Sequence, residues 1–489
     1  MKPHELIEHK LPPRENQKIA IDNAVYGLTE HGFHGLLLEM SLGKTKCALN
    51  VAEIMNPKSM VIICPKAIQS VWIDEIPLQT NFEVEPVIWQ NNHTKKFKRS
   101  LQKMSEQRME IYMIGLELFQ RKNPELQSFL EKLFKEATLV VLDESSRIKN
   151  VTTNRAPQLI SLTRGSAYRL ILTGTPWTES PLDIFAQMEF LKDSFWFKST
   201  PPWKVSTLRK HWFIFRNRYA IMQQVTLGEG RSFKTIVGTR RTEEIARKIG
   251  PYITQQKKVD WADLPEKIFQ VLHVEMGKEQ AEAYTSMKEK LILEYGDTVL
   301  TAANTGVLSI RLRQIAGGFF PETGEAISEE LAGIDMLLED VAEYPGKVVV
   351  AATFVAEIRG IVQALSGAYG PENVCTYYGA TKNRDEELHR FEDSARFLVL
   401  NPQTGAYGLN LQFASLMYLY SRPFSYEQNA QLLDRIHRPG QRNNCVYKDI
   451  IHKGTVQEKP LAAFKRKKGV ADDFDRKVTL KEWLEEENT

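Results

Sequence analysis

The chain has 489 residues, more than one ordinary domain needs, and this length favours about three or four folding units. Apolar residues make up 42% and charged residues 26% of it, the balance of a globular protein with a sizeable core. The formal net charge of +3 excludes a global basic field, so any surface for nucleic acid has to be local.

The four cysteines form neither a disulfide framework nor a zinc pattern. They are widely spaced, without a CxxC pair or a matching histidine spacing, which fits a reducing compartment: Cys47, Cys64, Cys375 and Cys445. The N-terminus lacks an apolar signal-peptide core, and no run of about 18 apolar residues occurs. We therefore expect a cytoplasmic protein without a membrane-spanning segment.

Short apolar runs alternate with amphipathic stretches in both halves of the chain. Such unalternated runs are typical of strands that are buried on both faces of a parallel sheet. In the first half they predict strands at Gly35–Glu39, Met60–Cys64, Ile111–Ile114, Leu139–Leu142 and Arg169–Leu172. In the second half they predict strands at Lys347–Ala352, Val374–Tyr377, Phe397–Leu400, Leu416–Tyr420 and Val446–Ile450. The sequence thus predicts two α/β units.

The pattern changes between these units. Residues 180–250 are rich in aromatic and basic side chains, and we expect them to form a helical insertion of a first unit that spans residues 1–260. Residues 261–330 are expected to connect the units through a strand-like stretch and two helices, Lys278–Tyr295 and Gly306–Ile315. The second unit is expected over residues 331–489 and ends in a charged tail.

The first candidate site follows the first predicted strand. Leu42, Gly43, Lys44 and Thr45 lie between that strand and a helical stretch, and backbone N–H groups at such a helix start bind phosphate. Lys44 would reach the β- and γ-phosphates, and the Thr45 hydroxyl would bind Mg²⁺. Leu38 stands where the usual phosphate loop has its first glycine. An ordinary turn with a surface lysine therefore remains the alternative for this pattern alone.

Two carboxylates favour the nucleotide interpretation. Asp143 and Glu144 end an apolar run, and the carboxyl ends of parallel strands are where open α/β sheets bind ligands. Asp143 would hold Mg²⁺ through water, and Glu144 would position the attacking water. A solvated strand end is the alternative for an isolated Asp-Glu pair. Leu170–Trp177, a strand that ends in small hydroxylated residues, is interpreted as a relay from this pair to the rest of the protein.

Two further patterns lie in the second half. Gly405 and Gly408 stand where the backbone has to approach another group closely. Arg435 and Arg438 are expected one helical turn apart, facing the same direction, with a solvated helix face as the alternative. Beside a nucleotide site, they are interpreted as arginine fingers that stabilise γ-phosphate charge in the transition state. Closure of one unit on the other would complete the site and couple hydrolysis to domain motion.

Together these patterns resemble the Swi/Snf-type branch of helicase superfamily two over nearly the whole chain. Its first motif corresponds to Leu38–Thr45, its second to Asp143–Asn150, and its Leu-Thr-Gly-Thr-Pro is intact at Leu172–Pro176. Ser41 and Ser146 replace residues of the family pattern, and Ser146 concerns the coupling of hydrolysis to the other unit. Arg435–Gln441, which is written Arg-x-His-Arg-x-Gly-Gln, is the most specific match, because it separates this branch from most RNA helicases.

The resemblance implies an α/β fold of two RecA-like domains with parallel sheets in tandem, plus helical insertions. It implies a DNA-dependent ATP hydrolase that uses ATP and Mg²⁺. Gln17 is positioned like the glutamine that reads adenine, and Gly408 and Asn410 are expected in the nucleotide site. No recognition or nuclease extension accompanies the two units, which suits a monomeric bacterial or phage protein, with protein partners left open.

The resemblance also implies that both units hold the phosphates of one strand within duplex DNA. Backbone N–H groups, hydroxyls and lysines suffice for such binding, which is independent of sequence and sensitive to salt. The candidate contacts are Pro65, Lys66, Lys149, Thr353, Thr404 and Gly405, and Trp72 and Glu75 belong to the same block as Pro65. Basic stretches at residues 95–99, 204–218 and 465–468 have a solvated surface as their alternative.

Three functions remain open on the sequence. The first is an ATP-driven translocase on duplex DNA that remodels DNA or displaces bound proteins. The second is a strand-separating helicase on DNA or RNA, which a wedge hairpin in the second unit would favour; no Asn-Gly or Asp-Gly hairpin pattern occurs there. The third is a DNA-activated ATPase that acts mainly through protein interactions.

Overall fold

The computed structural model describes residues 2–82, 86–89, 109–134, 138–177, 180–198, 204–226, 232–261, 264–295, 302–405, 409–423 and 425–458. The chain divides into two compact units, one made of Met1–Gln223 with Ile236–Ala262 and the other of Gln224–Thr235 with Asp263–Thr489. Gly408, the charged tail and the basic stretches at 95–99 and 465–468 lie outside the described residues.

The first unit is built on a seven-stranded parallel sheet. In chain order the strands up to the connection are β1 (Phe33–Leu38), β2 (Ser59–Cys64), β3 (Val87–Ile88), β4 (Glu110–Gly115), β5 (Thr138–Asp143), β6 (Tyr168–Leu172), β7 (Ala220–Thr226), β8 (Ser232–Thr239) and β9 (Ile253–Gln256). The sheet has the order β3-β4-β2-β5-β6-β1-β9, while β7 and β8 pair separately. Every residue of β1, β2 and β5 is buried, which confirms strands covered on both faces.

Helices cover both faces of this sheet and close an apolar core around it. They are α1 (Glu15–His31), α2 (Lys44–Met55), α3 (Gln69–Gln79), α4 (Pro124–Leu133), α5 (Arg155–Thr163), α6 (Ile184–Leu191), α7 (Val205–Tyr219) and α8 (Thr242–Ile249). The insertion predicted as helical also holds the β7–β8 pair, because β-branched residues in Ser232–Thr239 favour a strand. Its aromatic residues pack into the core, where the rings of Trp196 and Phe215 lie 4.5 Å apart.

The second unit is built on a six-stranded parallel sheet. Its strands are β10 (Lys267–Val274), β11 (Val348–Ala351), β12 (Val374–Tyr377), β13 (Phe397–Leu400), β14 (Leu416–Leu419) and β15 (Cys445–His452). They lie in the order β10-β15-β14-β11-β13-β12. The stretch predicted to connect the units therefore contributes an edge strand, since β10 pairs with β15 from Lys267 opposite Cys445 to Val274 opposite His452.

The helices of the second unit include the two that were predicted before its sheet. They are α9 (Lys278–Tyr295), α10 (Ala302–Ala316), α11 (Ala332–Ala342), α12 (Val355–Tyr369), α13 (Arg384–Asp393), α14 (Pro402–Gly405) and α15 (Tyr426–Leu433). The predicted fold class of two parallel α/β sheets in tandem is confirmed. Among the described helices, none combines the length and the apolar character that a bilayer crossing requires.

Candidate nucleotide-binding site

The phosphate loop of the first unit is a tight turn between β1 and α2. Gly43 caps α2 with a φ of +86°, a left-handed conformation that a side chain rarely adopts. A Cβ atom on Gly43 would lie 2.0 Å from Nε2 of Gln17. Lys44 begins the helix, and its Nζ donates to the carbonyl of Leu38 at 3.0 Å. The lysine thus folds back over the loop in which a phosphate would lie.

Ser41 stands at a position where the resembling family has glycine. It has a φ of +68°, so the left-handed backbone is kept without the residue that tolerates it most easily. The guanidinium of Arg14 donates to the Ser41 carbonyl at 3.2 Å and holds this peptide in place. Leu38, which replaces the other loop glycine, is a fully buried strand residue whose carbonyl faces Lys44. Both substitutions are accommodated with the turn intact.

Gln17 lies against this loop. Its side-chain N–H donates to the Leu42 carbonyl at 3.3 Å, and its Oε1 accepts from the backbone N–H of Arg14 at 2.9 Å. Asn16 reaches the same Leu42 carbonyl at 3.1 Å. The amide of Gln17 therefore closes the α1 end of the loop, and its adenine-reading role stays a prediction.

The carboxylate pair ends β5 as the sequence predicts. Oδ2 of Asp143 accepts from the indole N–H of Trp72 at 2.9 Å, and its Oδ1 accepts from the backbone N–H of Glu144 at 2.8 Å. Burial, and then the neighbouring charge of Glu144, raise the pKa of Asp143 above its ordinary range, while the charge of Lys44 lowers it. A cation at this carboxylate would offset both causes of the raised pKa.

Glu144 has an unusual backbone and an unused acceptor. Its φ is +50°, in the left-handed region that a non-glycine residue adopts only when its surroundings impose it. Its Oε2 is buried and has no hydrogen-bond partner among the described residues. A carboxylate held in this way can accept a proton or a hydrogen bond from a small polar group such as water.

The Leu-Thr-Gly-Thr-Pro segment follows β6 and touches the phosphate loop. A Cβ atom on Gly174 would lie 3.1 Å from Nζ of Lys44 and 3.3 Å from the backbone nitrogen of Met40. The hydroxyl of Thr173 accepts from the Thr175 N–H at 3.1 Å. The Thr175 hydroxyl is buried without a hydrogen-bond partner among the described residues. Since the Lys44 charge also acts on Asp143, three segments that are distant in sequence meet around Lys44.

A buried glutamine joins the second motif to this segment. The Ser145 hydroxyl donates to Oε1 of Gln187 at 2.7 Å, and Nε2 of Gln187 donates to the Pro176 carbonyl at 2.6 Å. Gln187 lies on α6 and is fully buried. No sequence pattern indicates Gln187, because a single buried amide on an apolar helix has no spacing relation to the motifs. The bridge does provide a physical path for the relay predicted at Leu170–Trp177.

The residues of the first unit fit a magnesium nucleotide. Lys44 provides a cation, the α2 N-terminus provides backbone N–H groups, and Asp143 and Thr45 provide oxygen ligands of the kind that Mg²⁺ accepts. Mg²⁺ usually takes few protein ligands and completes its shell with water and phosphate oxygens, so two ligands suffice.

Arg435 and Arg438 converge in the second unit, though not on a helix. The helix α15 ends at Leu433, so the expectation that both arginines lie on one helical turn is wrong. The chain turns there, and Nη1 of Arg435 and Nη1 of Arg438 both donate to the Leu409 carbonyl, at 3.2 and 2.8 Å. The two guanidinium groups nevertheless meet at this one carbonyl, and the residue after it, Asn410, is exposed.

Gln441 fixes the turn that carries these arginines. Its Nε2 donates to the carbonyls of Gln412 and Ala414 at 2.9 and 2.8 Å, and its Oε1 accepts from the Arg442 N–H at 2.9 Å. The Nε2 atom of His437 lies 2.8 Å from the Pro265 carbonyl. In the Arg-x-His-Arg-x-Gly-Gln pattern, His437 and Gln441 thus hold the turn in place. The other two residues, Arg435 and Arg438, are carried by this turn.

The predicted DNA contacts of the first unit lie near the ends of β2 and β5. Lys66 is exposed, and its backbone N–H faces the Glu117 carboxylate at 3.3 Å. Lys149 is half-buried and follows the second motif, and Pro65 is buried. Trp72, which the resemblance grouped with these contacts, is 1% exposed and bonds Asp143 instead. Its indole therefore belongs with the carboxylate pair at the end of β5.

One asparagine, Asn401, is hydrogen-bonded to all three predicted DNA contacts of the second unit. Nδ2 of Asn401 donates to the Thr353 carbonyl at 2.8 Å. The Asn401 carbonyl accepts from the N–H groups of Thr404 and Gly405, at 3.0 and 2.7 Å. The strands β11 and β13 are neighbours in the sheet, so the segments after them meet at one edge. The sequence did not single out Asn401.

The phosphate loop, the carboxylate pair and the Asn401 segment thus follow strands of two parallel sheets, one in each unit. The chain matches the SNF2-related domain over residues 23–317 and the helicase conserved C-terminal domain over residues 332–440. It therefore belongs to the SNF2-related family, and the resemblance found in the sequence is confirmed.

Relatives of this chain differ greatly in length. Over 88% of its residues, the chain is 22% identical to putative protein p41 of Acyrthosiphon pisum secondary endosymbiont phage 1, and it covers 92% of that protein. Over 90% of its residues, it is 23% identical to the ISWI chromatin-remodeling complex ATPase ISW1 of Saccharomyces cerevisiae, of which it covers 38%. This chain covers only 14% to 38% of the length of the similar chromatin-remodelling proteins.

One solved structure to which the chain is similar is the Sulfolobus solfataricus SWI2/SNF2 ATPase core in complex with dsDNA. It is 22% identical to this chain, with a TM-score of 0.43. The comparison covers 94% of this chain and 93% of the other.

Proposed function

We propose that this protein is an ATP-dependent translocase on double-stranded DNA that remodels DNA or displaces the proteins bound to it. The observation that supports this proposal most is that Lys44, Gly174 and Asp143 lie together at one edge of the first sheet. A lysine and a carboxylate arranged in this way are what a phosphate-cleaving site requires. Membership of the SNF2-related family supports an ATP-driven motor, and the names of relatives as chromatin-remodelling ATPases agree with it.

In this proposal the first unit binds and cleaves ATP. The Gly43 turn and Lys44 hold the β- and γ-phosphates, and Thr45 and Asp143 hold Mg²⁺. Bound Mg²⁺ supplies positive charge to the phosphate oxygens. Glu144 orients the attacking water and accepts its hydrogen bond at the unused Oε2, and Trp72 keeps Asp143 in place.

The second unit supplies the transition-state charge. Arg435 and Arg438, which share the Leu409 carbonyl, are released toward the γ-phosphate when the two units close on ATP. An arginine finger contributes about 10³- to 10⁵-fold in rate in other phosphoryl-transfer enzymes. Hydrolysis then removes the group that these arginines bind, so the closed state loses its stabilisation and the units separate.

DNA is held through its phosphates, without base recognition. One strand of the duplex is bound by Lys66 and Lys149 of the first unit. The same strand is bound in the second unit by Thr353, Thr404 and Gly405. Contacts of this kind release counterions, so binding weakens steeply as the salt concentration rises. The net charge of +3 limits this surface to the local donors.

The deciding experiment measures ATPase rate with duplex DNA, single-stranded DNA, forked DNA and RNA, together with displacement of the third strand of a triplex. We expect duplex DNA to stimulate hydrolysis most, and the triplex strand to be displaced only with hydrolysable ATP. Lys44→Ala and Glu144→Gln are matched inactive controls with the DNA surface intact. Strong unwinding of the fork without triplex displacement would establish a strand-separating helicase instead.

A further inference from the structure

We propose that Glu357 is a positioning residue that fixes the DNA-contacting edge of the second unit through Ser421, Thr353 and Asn401. The inference rests on the proposed function, because it concerns the predicted contacts Thr353, Thr404 and Gly405. Glu357 lies in the first turn of α12, one turn beyond Thr353, and its side chain is fully buried.

The connection begins at the carboxylate. The Ser421 hydroxyl donates to Oε2 of Glu357, and the same oxygen accepts from the Phe354 N–H at 3.2 Å. The Ser421 hydroxyl in turn accepts from the Thr353 N–H at 2.7 Å. A hydroxyl with one donor and one acceptor partner has its orientation set, so Glu357 decides where the Thr353 amide is held.

The connection then crosses the sheet. The Thr353 hydroxyl donates to the Ser421 carbonyl at 2.9 Å, and the Thr353 carbonyl accepts from Nδ2 of Asn401 at 2.8 Å. Oδ1 of Asn401 accepts from the Gln403 N–H at 2.8 Å, and the Asn401 carbonyl accepts from Thr404 and Gly405. One hydrogen-bonded chain therefore joins the segments that follow three adjacent strands, β14, β11 and β13.

The burial of Glu357 is unfavourable in free energy, so a purely structural role does not explain this residue. A buried carboxylate costs free energy unless it is well paired, and an apolar residue of similar size would avoid this cost. Its Oε1 has no hydrogen-bond partner among the described residues, and a Cβ atom on Gly317 would lie 2.4 Å from that oxygen. Arg313 provides a compensating charge from α10. The carboxylate is thus kept where it serves the Ser421 hydroxyl.

The test compares Glu357→Leu, Glu357→Gln and Ser421→Ala with wild type in the full chain. Leucine removes the acceptor, glutamine keeps it, and alanine removes the bridge. We expect the duplex DNA concentration for half-maximal ATPase stimulation to rise about five- to tenfold in Glu357→Leu and Ser421→Ala. Glu357→Gln should stay within about twofold of wild type, and the maximal stimulated rate should change less than the half-saturation.

Asp340→Asn is the matched control. Asp340 is a carboxylate of the same unit that accepts from the Tyr418 hydroxyl and from Nζ of Lys448, each at 2.5 Å. Hydrogen exchange without DNA gives a second readout: residues 352–354 and 401–405 should exchange faster in Ser421→Ala and not in Asp340→Asn. Unchanged exchange and half-saturation in Ser421→Ala would overturn the proposal, even if Glu357→Leu does not fold. Faster exchange in a protein that duplex DNA never stimulates would instead overturn the proposed function alone.

Discussion

The indole N–H of Trp72 donates to Oδ2 of Asp143 at 2.9 Å. The two residues lie on α3 and at the end of β5, and both are buried. This bond lowers the pKa of Asp143 and so opposes the burial and the Glu144 charge that raise it. Trp72 therefore helps to keep the proposed magnesium ligand ionised.

Trp72→Phe should lower the ATPase rate at neutral pH by about tenfold, because Asp143 loses a hydrogen bond to its charged form. The pKa of Asp143 rises further, so the acidic limb of the pH–rate profile should move to higher pH. Trp212→Phe, which also removes an indole from this unit, is the control. An unmoved acidic limb in Trp72→Phe would show that the bond has no part in catalysis.

Gly43→Ala should lower ATP binding by at least about a hundredfold, because φ is +86° there and the new Cβ would lie 2.0 Å from Nε2 of Gln17. Gly277→Ala is the control, since nothing lies within 4 Å of its Cβ position. Titration with a fluorescent ATP analogue checks this, and normal binding by Gly43→Ala would contradict the assigned loop.

Gln187→Leu should reduce DNA-stimulated ATPase about five- to tenfold, with little change in the KM for ATP, because the bridge from Ser145 to Pro176 is lost. Ser145→Ala removes one of its two bonds and should have a smaller effect. The double variant should be no worse than Gln187→Leu alone, since both changes break one path. Strictly additive losses would mean that the two residues act separately.

Arg435→Ala and Arg438→Ala should each lower kcat at least about a thousandfold while the unfolding temperature changes little. Nη1 of each arginine bonds the Leu409 carbonyl, and Nε of Arg435 also donates to the Gln431 carbonyl at 2.9 Å, whereas Gln441 holds the backbone of the turn. Arg442→Ala, an exposed arginine of the same turn, is the control. Turnover near the wild-type rate in either variant would remove that arginine from the mechanism.

Glu357 makes the stability of the second unit depend on pH. Burial raises its pKa from 4.5 to about 7, against the hydrogen bonds from Ser421 and Phe354 and the charge of Arg313, which lower it. Between these values the unfolded chain has lost a proton that the folded chain keeps, so the free energy of unfolding falls as pH rises, by about 3 kcal/mol in all. Below pH 4.5 and above about pH 7 this contribution is constant.

Glu357→Gln should abolish this dependence, because glutamine does not titrate. Urea unfolding of both proteins at pH 5 and pH 7.5 checks it: the wild-type midpoint should fall relative to the variant at the higher pH. Tyr420 also lies near Glu357 and has a raised pKa, so it stays neutral over this range and does not contribute. Parallel midpoints at both pH values would show that Glu357 is ionised throughout.

The amino-acid sequence by itself determined the elements and the reactive groups. Short, unalternated apolar runs favour strands that are buried on both faces of a parallel sheet, so β1, β2 and β5 were predictable from the sequence. Lys44, Asp143 and Glu144 were predictable because their chemistry depends on their position at strand ends, which is a local property.

Only the tertiary structure decided which distant groups touch. Trp72 lies 71 residues from Asp143, and Gln187 lies 42 residues from Ser145, so no periodicity relates them. The end of α15 at Leu433 was likewise invisible, because the turn is held by Gln441 reaching carbonyls of a preceding loop. Hydrogen bonds between segments depend on how the sheet orders its strands, and that order is set by packing of the whole unit and not by any local pattern.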